Sequence, residues 1–280
     1  MSDPLFSSEP LPASEPLLSV DGLTIRTGDG RALVSELAFE VARGERLGLI
    51  GESGSGKSLT TLAVLGLLPA DMTVTGSVRL ADTQIVGAAE KTLVGVRGRS
   101  AAVVFQEPLT ALDPLMRVGK QIAEPLRRRR QLTGAALKSA VTDLLAQVRL
   151  PEPDRIARAF PHEISGGQRQ RVALAMALAC DPALLIADEP TTALDVTVQA
   201  EMLELIDGLV RERGMAVLFV SHDLAVVSKV TDRVLVMKDG RAVESGAVAD
   251  VVRAPREAYT KALVDSARQL ESALDLGGVR

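Results

Sequence analysis

The sequence has very little cysteine and few aromatic residues. Cys180 is the single cysteine among 280 residues, and aromatic side chains amount to 2%. One cysteine excludes a disulfide within the chain and any zinc or iron–sulfur site built from its own cysteines. Hydrophobic residues still make up 46% of the chain, so the core has to be assembled mainly from leucine, valine, isoleucine and alanine.

The chain also lacks the hydrophobic segments of membrane and secreted proteins. The longest apolar candidate, residues 172–187, is interrupted by Asp181 and Pro182 and is too short to span a bilayer. Residues 1–16 are rich in proline, serine and acids instead of having a basic start and an apolar block. We therefore expect a disordered arm over residues 1–16, no signal peptide, and a membrane link only through a partner protein.

An excess of positive charge is missing as well. The formal net charge is −4 and the isoelectric point is near 5.4, whereas nucleic-acid-binding domains are typically basic. We therefore expect no nucleic-acid partner. The run Arg127–Arg130 is a local exception. For this run we favour a solvated helix face over contact with lipid headgroups or a membrane partner.

The most specific pattern present is a glycine-rich loop. Residues 51–58 match G-x-x-x-x-G-K-[ST]. The apolar residues 47–50 predict a buried strand before it, and the segment after Lys57 predicts a helix that stops at Pro69. Such a loop points backbone N–H groups and a helix N-terminus at phosphate, with the lysine on the β- and γ-phosphates and Ser58 on Mg²⁺. The residues predicted to hold the nucleotide are Gly51, Ser53, Gly54, Ser55, Gly56, Lys57 and Ser58.

Two adjacent acids follow a second strand pattern. The apolar residues 183–187 lead directly into Asp188 and Glu189, which places both carboxylates at the carboxyl edge of a parallel sheet, where ligands bind. Asp188 suits the Mg²⁺ shell, directly or through water, and Glu189 suits the orientation of an attacking water. In isolation the pair would be explained as a loop cap, but the upstream phosphate loop favours the functional interpretation.

A second glycine-containing helix start lies at residues 165–168. Ser165-Gly166-Gly167-Gln168 precedes a helical pattern over residues 169–179, and its N–H groups could also bind an anion. An ordinary helix start is the alternative. Two anion-binding helix starts in one chain indicate two molecules that share nucleotides across a dimer. Gln106 and His222 each follow an apolar strand pattern, although single residues at such positions are usually structural.

The overall pattern predicts an α/β nucleotide-binding core with a helical insert. Strand-like segments extend to about Val104, and residues 108–179 are helical in pattern. The uninterrupted apolar residues 183–187 and 217–220 are typical of parallel strands covered on both faces. Asp239-Gly240 predicts a tight hairpin.

Taken together, these segments resemble ABC-type ATPases, the nucleotide-binding subunits of transporters. The resemblance covers about residues 17–263. It implies an α/β P-loop NTPase core, in which a parallel sheet with helices is joined by antiparallel N-terminal strands, and an inserted helical subdomain. The implied division is an ABC ATPase domain over residues 17–265, with the insert at about 108–179, and a tail over 266–280. The segments in family order and spacing are residues 51–58, Gln106, Ile164–Gln168, Leu184–Glu189, Ala193–Asp195 and Ser221–Asp223.

The resemblance also implies roles for these residues. Ser165, Gly166, Gly167 and Gln168 resemble the signature that contacts the γ-phosphate held by the other subunit. Gln106 resembles the residue that senses Mg²⁺ and passes motion to the insert. Asp195 resembles the aspartate that links the two sites, and His222 the histidine that contacts the γ-phosphate. With Lys57 and Glu189 present, every position required for hydrolysis is filled, which argues against a regulatory module without turnover.

The amino-acid sequences of several segments are similar to those of oligopeptide, dipeptide and nickel importer ATPases. This branch implies a second ATPase subunit, identical or related, two membrane permeases and an extracytoplasmic solute-binding protein reached through them. It also implies a peripheral location on the cytoplasmic face of the cell membrane. The alternatives are another solute, an exporter or a non-transport ABC protein. The similar segments are Phe105–Pro114, Pro161–Glu163, Ala187–Gln199 and Ala258–Leu263.

Two positions depart from the family pattern. An aromatic residue that stacks on adenine is usual near position 27, but this chain has Thr27. Base stacking is therefore expected to be weaker or to come from a partner. No cysteine follows Cys180, so we expect Mg²⁺ with ATP as substrate and no iron–sulfur cluster.

Overall fold

The polypeptide is built on two sheets, seen in a computed structural model that describes residues 15–107, 111–191 and 195–277. Most of the predicted arm over residues 1–16 lies outside the described residues. Residues 108–110 and 192–194 of the importer-like segments also lie outside them. The smaller sheet is antiparallel, with strand order β2-β1-β4-β5. Its strands are β1 Leu18–Arg26, β2 Ala32–Val41, β4 Thr73–Leu80 and β5 Thr83–Gln84.

The larger sheet carries the predicted parallel strands. Its order is β10-β9-β3-β8-β7-β6, and every neighbouring pair is parallel except β9 with β10. The last pair is the predicted hairpin at Asp239-Gly240, which is confirmed. The strands are β3 Arg46–Ile50, β6 Ala101–Val104, β7 Leu184–Asp188, β8 Ala216–Ser221, β9 Arg233–Lys238 and β10 Arg241–Ala247. Since the parallel strands point the same way, the segments that follow β3, β6, β7 and β8 meet at one edge.

Helices cover the sheets and form the insert, which confirms the predicted α/β fold. Among the described residues, none of these helices has the length and apolar character needed to cross a membrane. A short 3-10 helix, Pro161–Glu163, precedes α6. The α-helices are α1 Lys57–Val64, α2 Glu90–Val96, α3 Val118–Arg130, α4 Gly134–Gln147, α5 Pro153–Arg158, α6 Gly166–Leu178, α7 Val196–Arg213, α8 Leu224–Val230, α9 Val248–Arg253 and α10 Ala258–Gly277.

One helix ends earlier than the sequence pattern predicts, and another extends into the predicted tail. Helix α1 ends at Val64, well before Pro69, because Gly66 adopts a left-handed conformation with φ +62° and the Leu67 N–H turns back to the Leu62 carbonyl at 2.8 Å. Helix α10 continues to Gly277. The described part of the predicted tail is therefore helical.

The arginine run on α3 is paired within the chain. Its first two members both contact Glu124, at 3.0 and 2.7 Å. Arg129 donates to the Arg97 carbonyl at 3.1 Å, and Arg130 lies 3.4 Å from Asp181. All four side chains are exposed. The first two pair within α3, and the last two contact residues outside it.

Candidate functional site

The phosphate loop joins β3 to α1, and its backbone requires glycine at several positions. Gly54 and Gly56 have φ values of +83° and +97°, which L-residues with a Cβ rarely adopt. At Gly51 a Cβ would lie 2.2 Å from the Met237 carbonyl oxygen. The loop can therefore curve tightly against β9 and direct its N–H groups to one side.

Lys57 lies inside this loop. Its Nζ donates to the carbonyl oxygens of Gly51 at 2.6 Å and Glu52 at 2.8 Å. The side chain is buried, and this burial lowers the pKa of the ammonium, while the nearby carboxylates of Glu189 and Asp188 oppose the shift. The loop thus holds the ammonium group in place through its own carbonyl groups.

Asp188 ends β7 beside the first turn of α1. Its two carboxylate oxygens accept hydrogen bonds from Ser58 Oγ at 3.4 Å and Thr61 Oγ1 at 3.3 Å. Mg²⁺ prefers oxygen ligands, such as those of hydroxyl and carboxylate groups. Ser58 and Asp188 therefore fit the predicted role of metal ligands. Thr61 was not predicted from the sequence, although its i+3 spacing from Ser58 places it on the same helix face.

Burial of Asp188 has a consequence for stability. It raises the pKa of the carboxyl group, against the hydrogen bonds from Ser58 and Thr61, which lower it. A raised folded-state pKa means that stability is lost as the pH rises past the unfolded-state value, so at neutral pH the ionised group lowers the free energy of unfolding. In the absence of nucleotide, the charge at Asp188 therefore works against the fold.

We expect Asp188→Asn to raise the melting temperature without nucleotide by a few degrees and to abolish the further rise that Mg²⁺ with ATP causes. Calorimetric scans at neutral pH with and without Mg·ATP measure both effects. Asp143→Asn, an exposed change on α4, is the control and should leave the Mg·ATP effect intact. A variant that loses stability and keeps the Mg·ATP effect would contradict the role of Asp188.

Glu189 and His222 lie side by side at the same edge. Glu189 has a left-handed backbone with φ +47°, and its N–H donates to the Val220 carbonyl at 2.9 Å, which fixes the residue to the end of β8. Glu189 Oε1 lies 3.2 Å from His222 Nδ1. The carboxylate is thus positioned within hydrogen-bonding distance of an imidazole nitrogen.

Glu189 and His222 line a cleft of about 690 Å³. It brings together the phosphate loop, Gln106, Glu189 and His222, as the strand order implies. Leu33 also lines it, a residue that the sequence pattern did not indicate. Thr27 is not part of the lining, and its hydroxyl instead donates to the Arg31 carbonyl at 3.2 Å.

The second predicted anion site lies elsewhere on the surface. Ser165 Oγ accepts from the Gln168 N–H at 3.2 Å, and Gln168 Oε1 accepts from the Ser165 N–H at 3.0 Å, so the pair forms a capping box at the start of α6. Ser165, Gly167 and Gln168 line a separate groove of about 320 Å³ that shares no residue with the cleft. Asp195 caps α7 through the Val198 N–H at 3.0 Å. Within one chain, the structure does not bring the two predicted anion sites together.

A family model and individual relatives both match this chain. The family model described as ABC transporter matches residues 34–192. The chain is 46% identical to the peptidoglycan transport ATP-binding protein of Agrobacterium fabrum, over 90% of this chain and 47% of that protein. It is 48% identical to the oligopeptide transport ATP-binding protein of Mycobacterium tuberculosis, over 92% and 43%. It is 45% identical to the glutathione import ATP-binding protein of Escherichia coli O157:H7, over 85% and 40%.

The chain therefore spans less than half the length of these curated relatives. Among solved structures, it is similar to an ATP-binding cassette in a dimeric structure bound to ADP and Pi, with a TM-score of 0.73 and 27% identity over 82% of this chain and 98% of that one. A protein of Clostridium perfringens that is part of an ABC transporter complex gives a TM-score of 0.74 and 26% identity over 85% and 91%.

Proposed function

The chain belongs to the ABC transporter family, and on that premise we propose that it is the ATP-hydrolysing subunit of an importer of di- or oligopeptides, with nickel as the alternative solute. One observation carries the hydrolytic part: Lys57, Glu189, His222 and Gln106 line one cleft with the phosphate loop. The solute class is supported by relatives named for transport of peptidoglycan, oligopeptides and glutathione.

In this proposal the chain's residues act by position and charge, as is usual in phosphoryl transfer. The loop N–H groups and Lys57 bind the β- and γ-phosphates. Glu189 orients the water that attacks the γ-phosphorus, and the bond from that phosphorus to the bridging oxygen breaks, so that ADP and phosphate leave. His222 contacts the γ-phosphate from beside Glu189. Mg²⁺, held by Ser58 and Asp188 with Gln106 near it, would neutralise charge between the phosphates.

A second ATPase subunit completes each site in this proposal. The groove at Ser165–Gln168 is separate from the cleft, and we propose that the N–H groups of Gly166 and Gly167 contact a γ-phosphate that is bound to another chain. Gly166 is exposed there, and a Cβ at this position would meet nothing within 4 Å, which leaves room for a ligand. The similar ATP-binding cassette was solved as a dimer with ADP and Pi.

The membrane partners are proposed to dock on the helical insert. Leu115 is 87% exposed just before α3, and Met116 beside it is 38% exposed. The Arg117 guanidinium lies 5.5 Å from the centre of the Phe160 ring, so the patch combines apolar side chains with a cation. We propose that this patch and its counterpart on the second ATPase subunit meet two permeases on the cytoplasmic face of the membrane, and through them a solute-binding protein.

Purification from membranes in mild detergent tests this assignment. We expect two permeases and a peptide- or nickel-binding protein to co-purify with the wild-type chain, and Leu115→Glu to lose them. Leu67→Glu is the control, since Leu67 is an exposed leucine of another segment, just after α1, and this variant should retain the partners. Recovery of ribosomal or DNA-associated proteins in place of permeases would overturn the transport assignment.

A further inference from the structure

Tyr259, on the first turn of α10, lies against the phosphate loop. Its hydroxyl oxygen accepts a hydrogen bond from the Glu52 backbone N–H at 2.9 Å. The two residues are 207 positions apart in the sequence, and Tyr259 lies outside the residues 34–192 that the family model matches. The phenol therefore reaches the loop from a part of the chain to which the proposed chemistry assigns no role.

Tyr259 contacts the backbone N–H of a residue that also holds Lys57. The Glu52 carbonyl oxygen accepts from Lys57 Nζ at 2.8 Å. Glu52 is thus fixed at its N–H by the phenol and at its carbonyl by the lysine. A rotation of this residue would displace the lysine from its present position, so the phenol acts on the ammonium through one residue.

Other contacts hold the tyrosine itself in place. Lys238 Nζ lies 5.0 Å from the centre of the Tyr259 ring, a cation–π distance. The Glu244 carboxylate accepts from the N–H groups of Arg256 at 2.9 Å and Glu257 at 3.1 Å, just before α10 begins. Thr260, the next residue, is 1% exposed. The phenol is therefore carried on a fixed helix start rather than on a free end.

A second contact from the same part of the chain supports the loop. The Gly240 N–H donates to the Ser55 carbonyl at 3.2 Å, and the Gly240 carbonyl accepts from the Ser35 N–H at 2.9 Å. Gly240 is closely packed, because a Cβ there would lie 2.3 Å from the Leu33 carbonyl oxygen. The loop is thus braced at two residues by the hairpin β9–β10 and by α10.

We propose that Tyr259 is a positioning residue for ATP: its phenol orders Glu52, and through it the phosphate loop and Lys57, before the phosphates bind. The inference rests on the proposed ATPase function. Ordering a loop in advance lowers the conformational cost that the ligand would otherwise meet on binding. Once the phosphates are bound, they order the loop themselves, so the phenol should affect binding far more than the chemical step.

Tyr259→Phe removes the hydroxyl group and keeps the ring over Lys238. We expect the Kd and KM for Mg·ATP to rise about threefold to tenfold, the range of one net hydrogen bond, with kcat at saturating ATP within about twofold of wild type. Thr142→Val is the control, because it removes a hydroxyl group whose hydrogen bond, to the Ser139 carbonyl at 2.9 Å, stays within α4. It should leave Kd and KM unchanged.

A spectroscopic test uses the fact that Tyr259 is the only tyrosine and that the chain has no tryptophan. Tyrosine emission therefore reports on this phenol alone. Titration with Mg·tripolyphosphate, which carries no base and does not absorb, should change the emission of the wild type saturably. Lys57→Ala should show no such change, because the phosphates lose their cation.

The outcomes separate the inference from the proposed function. A wild type that neither binds nor hydrolyses Mg·ATP overturns the proposed function. Normal wild-type turnover with an unchanged KM in Tyr259→Phe, or an equal rise in Thr142→Val, overturns the positioning role alone. Emission that does not respond to tripolyphosphate in a wild type with normal turnover also contradicts it.

Discussion

Replacing Glu189 with glutamine is expected to lower phosphate release at least about a hundredfold, a loss of roughly 3 kcal/mol of barrier lowering, while ATP binding stays normal. Glutamine keeps the shape of the side chain that faces His222, at 3.2 Å in the wild type, and removes the charge that polarises the attacking water. Bound ATP should then persist and hold two chains together as a closed dimer.

Two measurements check this expectation. Phosphate release gives the rate, and gel filtration with Mg·ATP should shift Glu189→Gln to twice the monomer mass. Glu204→Gln, an exposed change on α7, is the control and should behave as wild type in both. Turnover of Glu189→Gln near the wild-type rate would remove this residue from its proposed role.

Gly166→Asp should abolish turnover without unfolding the chain. A Cβ at Gly166 would meet nothing within 4 Å, so the fold can accommodate the side chain. In a dimer, however, the new carboxylate would face the γ-phosphate bound to the other chain, and like charges repel. We expect turnover to fall at least about a hundredfold, with the melting temperature and the ATP affinity of the monomer preserved.

Gly208→Asp provides a matched control for this change. Gly208 lies on α7, and a Cβ there also meets nothing within 4 Å, so the variant tests the same substitution on another exposed helix. It should retain turnover. Equal losses in both variants, or a Gly166→Asp chain that no longer binds ATP as a monomer, would contradict a role for Gly166 at the dimer interface.

The sequence was most informative where function depends on local backbone geometry. The glycine spacing around Lys57 predicts the loop because the left-handed conformations at Gly54 and Gly56 leave little choice of residue. Asp188 and Glu189 could be placed because an apolar strand that ends in acids delivers them to the ligand edge of a parallel sheet. The position of Asp188 and Glu189 near Lys57 then follows from the parallel pairing of β3, β8 and β7.

Contacts between distant segments were not predictable in this way. The hydrogen bond from Glu52 to Tyr259 spans 207 residues, and no periodicity or spacing in the sequence connects the two. The pairing of Arg130 with Asp181 at 3.4 Å likewise depends on how the insert packs on the core. The early end of α1 depends on the left-handed turn at Gly66, which outweighs an apolar pattern that continues toward Pro69.

The division of each site between two chains can also be examined with inactive variants. Lys57→Ala loses the phosphate cation, and Gly166→Asp blocks the opposite face. If the chain forms homodimers, a mixed dimer has one site with an intact loop and an intact signature, and the other site carries both lesions. Mixing should therefore restore part of the activity, and it should not do so if each chain hydrolyses ATP alone.

The most direct measurement of the shared site is ATP turnover per molecule of wild-type protein over a dilution series, with the mass of the species determined at each concentration. Because the groove at Ser165–Gln168 and the cleft share no residue, we predict that turnover per molecule rises with concentration as dimers form. Constant turnover per molecule, down to concentrations at which the protein is entirely monomeric, would contradict the proposal that each ATP site is shared between two chains.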